Sequence, residues 1–171
     1  MSFLLFLFGA AIALIIPDID QRLPFLVHRS LLTHGMLLPL LAYWLARRAP
    51  ITHTGAIGVC TATAVHLAFD LFPRLWIGYA LIHAPVLGRL PPALSIAWLA
   101  ISLVVCCYFA LALVWNAADL GLVVLGLAAS FGMLAPIEVE TRGPFLALVA
   151  ALALVLVLPY ILPTLRSIMR S

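Results

Sequence analysis

Lysine is absent from this sequence, and the nine arginines and six acids that carry its fixed charge make up only 9% of the residues. An ordinary soluble domain is about a quarter charged. A chain of 171 residues with so few charges cannot cover a water-facing surface. The arginines are scattered, with no run of the kind that follows a nucleic-acid backbone, so no nucleic-acid partner is expected. Cysteine is scarce too. Cys60, Cys106 and Cys107 lie inside apolar stretches, without the spacing of a zinc ribbon or a disulfide framework, and are expected to be packing residues. The first apolar stretch lacks a preceding basic residue and a small-residue cleavage site after it; Pro17-Asp18 follows, so residues 2–16 are expected to be a retained span.

What the chain has in abundance is apolar side chain, 66% of its residues, and hydrocarbon is the solvent that accommodates it. Hydropathy marks six spans, at residues 2–16, 31–46, 55–72, 93–115, 120–137 and 145–162. Prolines and charges punctuate the breaks between them. The expected fold is all-α, a polytopic transmembrane helical bundle forming one integral membrane domain over 1–171, with a site-bearing part at 1–92 and a helical remainder at 93–171. Residues 75–90, which include Trp76, Tyr79, His83 and Arg89, are too polar and too short for a span and read as an interfacial or re-entrant segment. Trp44, Trp76, Trp98 and Trp115 fall near span ends, where interfacial anchors belong.

Several early spans are short. Sixteen helical residues reach about 24 Å against about 30 Å of hydrocarbon, so either the bilayer thins locally or the helix ends sit below the headgroups, and the second would place the loop after the first span in a recess near the lipid glycerol level. If the spans alternate in direction, residues 17–30, 73–92 and 138–144 share one face. Residues 47–54, Asp119 and the C-terminal tail share the other. The arginine count, five on the first face and four on the second, does not settle orientation; the first face also holds four of the acids, so a functional cluster there would account for its arginines, which favours the second face as cytoplasmic.

Three polar pieces map to the first face. His66 and Asp70 stand four residues apart on one side of a helix, and both are ionisable within an apolar span, where a lone carboxylate is costly and a partner or a metal ion is expected. Asp18 and Asp20 lie in a turn opened by Pro17, spaced to offer carboxylates to one site or to two adjacent ones. His28, Arg29 and His34 surround the start of the second span, a place that favours an anion, with Arg29 suited to fork onto a phosphate or carboxylate. Mixed imidazole and oxygen donors suit Zn, Mn or Fe, whereas a carboxylate-only site leans to Mg. His83, Glu138 and Glu140 share the face and read as solvated loop positions. His53 falls on the opposite face and is expected to stand outside the cluster.

The order PDID, then HR followed by TH, then HxxxD, all within apolar spans, resembles the LexA-binding, inner-membrane-associated hydrolases, also called membrane-bound metal-dependent hydrolases. The likeness runs from Pro17 to about Pro73. Gln21 stands where that pattern often has a histidine, and Gly35 where a small polar residue is usual. The resemblance implies hydrolysis at a polar centre of Asp18, Asp20, His28, His34, His66 and Asp70, in a bacterial-type inner membrane. Taken with the residue chemistry, it gives a divalent metal ion on Asp18, Asp20, His34, His66 and Asp70, with His28 as general acid and Arg29 holding developing negative charge. The expected substrate is a phosphoester or other ester near the lipid surface, with membrane lipid as a partner. An ion or proton transporter, or a noncatalytic scaffold, would use the same His-Asp pairs differently.

Overall fold

The computed structural model describes residues 2–22, 29–85, 87–138 and 140–168. Six α-helices account for most of them: α1 (Ser2–Ile15), α2 (Leu37–Arg48), α3 (His53–Asp70), α4 (Pro92–Ala112), α5 (Ala117–Leu134) and α6 (Arg142–Ile168). Two-residue strands β1 (His83–Ala84) and β2 (Gly88–Arg89) pair antiparallel as a small hairpin.

The bundle is organised around α3, which touches each of the other five helices. Sixteen of its eighteen residues are buried, so it can carry threonine, histidine and aspartate that a lipid-facing helix cannot. Its small residues let neighbours come close. A Cβ on Gly58 would collide with the Phe6 carbonyl of α1 and stand 2.9 Å from the Ala10 nitrogen, so the α1–α3 crossing depends on hydrogen at that position. Cys60, Cys106 and Cys107 are unpaired with one another in disulfides and fully buried in this core.

Three helices are long and apolar enough to cross a membrane: α4 with 21 residues, α5 with 18, and 19 residues of α6 from Arg142 to Tyr160. The other three differ from the spans read from hydropathy, each for a physical reason. α1 has 14 residues, about 21 Å, because Pro17 cannot donate to the helix ladder and the chain turns into a 3-10 segment over Pro17–Arg22. α3 is enclosed by protein and too polar to qualify on composition. α2 has only 12 residues, about 18 Å, and starts six residues later than expected. Residues 31–36 form turns because their polar groups are engaged elsewhere: the Trp98 indole N–H donates to the His34 carbonyl at 2.8 Å, and the same ring packs so tightly on Gly35 that a Cβ there would come within 2.8 Å of it. Trp98 is thereby turned inward, and does more than anchor a span end.

The segment at 75–90 forms no spanning helix. After a 3-10 turn at Gly78–Ala80, β1 lies beside residues 29–31: the His83 N–H donates to the Arg29 carbonyl and the Leu31 N–H to the His83 carbonyl, both at 2.9 Å. Buried Ile82 donates its N–H to Ser95 Oγ on α4, which in turn donates to the Leu90 carbonyl. The hairpin is thus fastened over one end of the bundle. Glu140 belongs to this end as well, but its job is to cap α6. Its carboxylate accepts from the Gly143 and Arg142 N–H groups, and those bonds hold its carboxyl below its ordinary range.

Substituting Gly58 with alanine should therefore destabilise the bundle by about 1–3 kcal/mol, seen as a lower melting temperature in detergent. Gly121→Ala on α5, where an added Cβ meets nothing within 4 Å, should leave melting unchanged.

Candidate metal centre

His34 is completely buried, and its position begins with Asp20. The 3-10 turn after α1 points the Asp20 carboxylate inward, where Oδ2 accepts from the Ser30 N–H at 3.0 Å and from the Thr33 hydroxyl at 2.8 Å. The same oxygen lies 3.2 Å from His34 Nδ1. Burial alone would raise the carboxyl pKa. The hydrogen bonds from His34, Ser30 and Thr33 outweigh it and hold Asp20 well below the ordinary carboxylate range. With an ionised acceptor beside Nδ1, the neutral form of the ring carries its hydrogen on that nitrogen, which leaves Nε2 as the atom that would ligate.

Around that atom stand three further donors. Asp18 Oδ1 is 3.9 Å from His34 Nε2, and Asp70 Oδ2 is 3.8 Å from it and 3.5 Å from His66 Nε2. One ligand atom from each of Asp18, His34 and His66 can be chosen so that all lie within 4.8 Å of one another. Nitrogen and oxygen donors about 2.1 Å from a common ion stand about 3.4 Å apart in a tetrahedron, so the contacts of 3.5 to 3.9 Å need contraction of about half an ångström or less, and a pair at the 4.8 Å limit about 1.4 Å. Asp70 Oδ2 and His66 Nδ1 are both buried without a hydrogen-bond partner among the described residues. A carboxylate oxygen left this way in an apolar body is costly unless a cation or proton faces it, and two imidazoles with two carboxylates form a donor set that fits a divalent ion.

Asp70 is held in place from its other side. Arg29 adopts a left-handed backbone, φ +57°, which costs about 1 kcal/mol. This turns its guanidinium onto Asp70: Nη2 donates to Asp70 Oδ1 at 2.8 Å, and Nη1 donates to the carbonyls of Asp70 and Ala80 at 3.1 and 3.0 Å. The arginine read from sequence as a clamp for developing negative charge is therefore engaged with a carboxylate of its own chain. Likewise Asp20, read as a ligand, lies behind His34 on the opposite side of the ring from the cluster, because its turn points it at Ser30 and Thr33. Asp18, His34, His66 and Asp70 come together as the sequence pattern expected. His28 lies outside the described residues. His83 contributes its backbone to the hairpin, and its side chain is not among the grouped ligands.

His53 stands at the opposite end of α3, and it has company that the sequence reading missed. Its Nε2 is 3.3 Å from Asp119 Oδ2, and its ring lies against Trp115 with centroids 3.9 Å apart. Asp119 also accepts the Trp115 N–H, and its own N–H is capped by Asn116. A packing of α3 against α5 creates this pair, and hydropathy alone carries no sign of it.

Asp20→Asn should keep the shape of the turn but remove the charge that fixes the His34 tautomer. Affinity for Zn²⁺ or Mn²⁺, measured by calorimetric titration in detergent, should fall about 10–100-fold. The same substitution bears on acid stability. With its folded-state pKa depressed, Asp20 contributes stability that is complete above the unfolded carboxyl value of 3.8 and is lost as pH falls through the lower folded value. The variant should lose less stability than wild type across that acid range in pH-dependent unfolding.

Comparison of the chain with protein-family models, with curated proteins and with solved structures finds no match.

Proposed function

We propose that this protein is a membrane-embedded metal-dependent hydrolase, akin to the family its motifs resemble, acting on a phosphoester or other ester near the lipid surface. The observation that carries the reading is the convergence of Asp18, His34 and His66 donor atoms within 4.8 Å, with Asp70 Oδ2 beside both imidazoles. A divalent cation bound there would supply a Lewis acid and bring the pKa of water from about 16 down to about 7. Imidazole with carboxylate favours Zn, Mn or Fe over Mg. Asp20 holds His34 in the ligating tautomer. Arg29 acts as a positioning residue, fixing Asp70 through one carboxylate oxygen so that the other faces the histidines. A bacterial-type inner membrane is part of this proposal.

One observation favours a proton or ion relay instead: α3 carries a His-Asp contact at each end, His66 with Asp70 and His53 with Asp119. The two histidines are thirteen residues apart, about 20 Å of helix, and no imidazole or carboxylate lies between them on α3. The spans expected at 93–115, 120–137 and 145–162 hold no charged residue. A relay would have to cross that gap without an imidazole or carboxylate, with the buried Cys60 thiol as the one ionisable side chain of α3 between them, so hydrolysis is the better-supported reading.

Elemental analysis of detergent-purified protein separates them. Wild type and His53→Ala should carry stoichiometric metal and His66→Ala should lose it, with hydrolysis of bis(p-nitrophenyl) phosphate abolished by chelation in the first two. Wild type without metal, or equal retention in all three proteins, would remove the hydrolase reading and leave a relay or a scaffold.

A further inference from the structure

The loops around the metal centre expose apolar side chains where water-facing loops carry polar ones. Leu75 and Ile77 are each 66% exposed and Leu87 is 80% exposed, all in the hairpin segment that forms no spanning helix. Phe72 and Leu32 on the same end are 41% and 49% exposed. Single exposed leucines are ordinary. Here Arg74 and Arg89, both exposed, flank them in sequence, in a lip fastened to α4 through Ser95. Bare apolar tips beside guanidinium groups suit a surface seated in the interfacial layer, with apolar bodies toward the acyl chains and charges at phosphate level.

Asp18 is the most exposed member of the cluster. His34, His66 and Asp70 have side-chain exposures of 0, 9 and 12%, whereas Asp18 stands at 48%. Asp18 is flanked by exposed Ile15 and Ile19, and the outer face of α1 continues downward through Phe8 and Leu4, also exposed. The open side of the centre is thus continuous with a lipid-facing surface. At about 21 Å, α1 is shorter than the roughly 30 Å of hydrocarbon, so if it lies within the bilayer Asp18 would sit below the level where a full-length span ends.

Resting on the hydrolase reading, we infer that the substrate is a phospholipid resident in the bilayer, which reaches the centre laterally past Ile15 and Ile19. Arg74 and Arg89 complement the charge of its phosphodiester, and its acyl chains stay against Leu75, Ile77 and Leu87. In the reaction the oxygen of water bonds to phosphorus, one P–O ester bond breaks, and the departing alkoxide takes a proton from that water. No oxidant or further co-reactant is needed.

The test uses full-length protein in bilayers of phosphatidylcholine and phosphatidylglycerol in equal parts, supplied with Mn²⁺ or Zn²⁺. Nitroxides on Leu75→Cys, Ile77→Cys and Leu87→Cys, with the native cysteines buried, should collide with oxygen dissolved in lipid and be shielded from an aqueous nickel chelate. Phosphatidylglycerol should be hydrolysed. A combined Leu75→Asp, Ile77→Asp, Leu87→Asp variant should lose lipid turnover by about tenfold or more while hydrolysis of bis(p-nitrophenyl) phosphate stays within about twofold. Aqueous nitroxides at all three positions, or turnover of the soluble diester without turnover of phospholipid, would overturn the lateral route while leaving the hydrolase. Turnover of neither substrate would overturn the hydrolase reading, and this inference with it.

Discussion

The Nδ1–H of His34 points into the carboxylate of Asp20, 3.2 Å away, and this contact governs what the other ring nitrogen can do. An imidazole offers a lone pair at only one nitrogen when neutral, and the charge behind it decides which. Because Asp20 is also bonded by Ser30 and Thr33, the position of the ring follows from the turn after α1 and the turns before α2 together. Those two pieces of irregular backbone persist because their polar groups are satisfied locally, a strict requirement where the surroundings are apolar. The fully buried histidine has the Asp20 carboxylate at Nδ1 and the Asp18 and Asp70 carboxylates near Nε2.

That arrangement needs a rigid support, and α3 supplies it. A helix enclosed on all sides can carry His66 and Asp70 on one face without presenting them to lipid, and its small residues allow α1 to pack close enough to bring Asp18 toward His66. Arg29 completes the link by tying Asp70 to the strand-like stretch at 29–31, which the hairpin covers. Its left-handed backbone would not persist unless several bonds over-determined it, and three from its side chain and one to its carbonyl do so.

How much of this was legible in the sequence depended on the range of the contact involved. His66 and Asp70 were readable as a pair because helical periodicity alone puts i and i+4 together. Asp18 and Asp20 were readable as members of the site but not in their different jobs, since a turn that sends one outward and the next-but-one inward leaves no periodic trace. The partners of Arg29 and the late start of α2 depend on contacts 41 and 64 residues distant, Arg29 to Asp70 and Trp98 to His34, which no local pattern encodes. Hydropathy likewise counted α3 as one span among six. Composition reports how apolar a segment is, but not whether its neighbours are lipid or protein, and the enclosure of α3 lies in packing.

The two His-Asp contacts of α3 then differ in a way that bears on function. At the His53 end the carboxylate of Asp119 accepts a backbone N–H, the imidazole packs on Trp115, and among the described residues no third ligand joins the pair, so the arrangement is consistent with helix packing. At the His66 end the carboxylate is held from outside by arginine, a second histidine is oriented by a second carboxylate, and an exposed aspartate stands at the open side. The two ends of α3 thus differ in access: Asp18 is half exposed beside three buried donors, whereas His53 and Asp119 are both buried in a contact between helices.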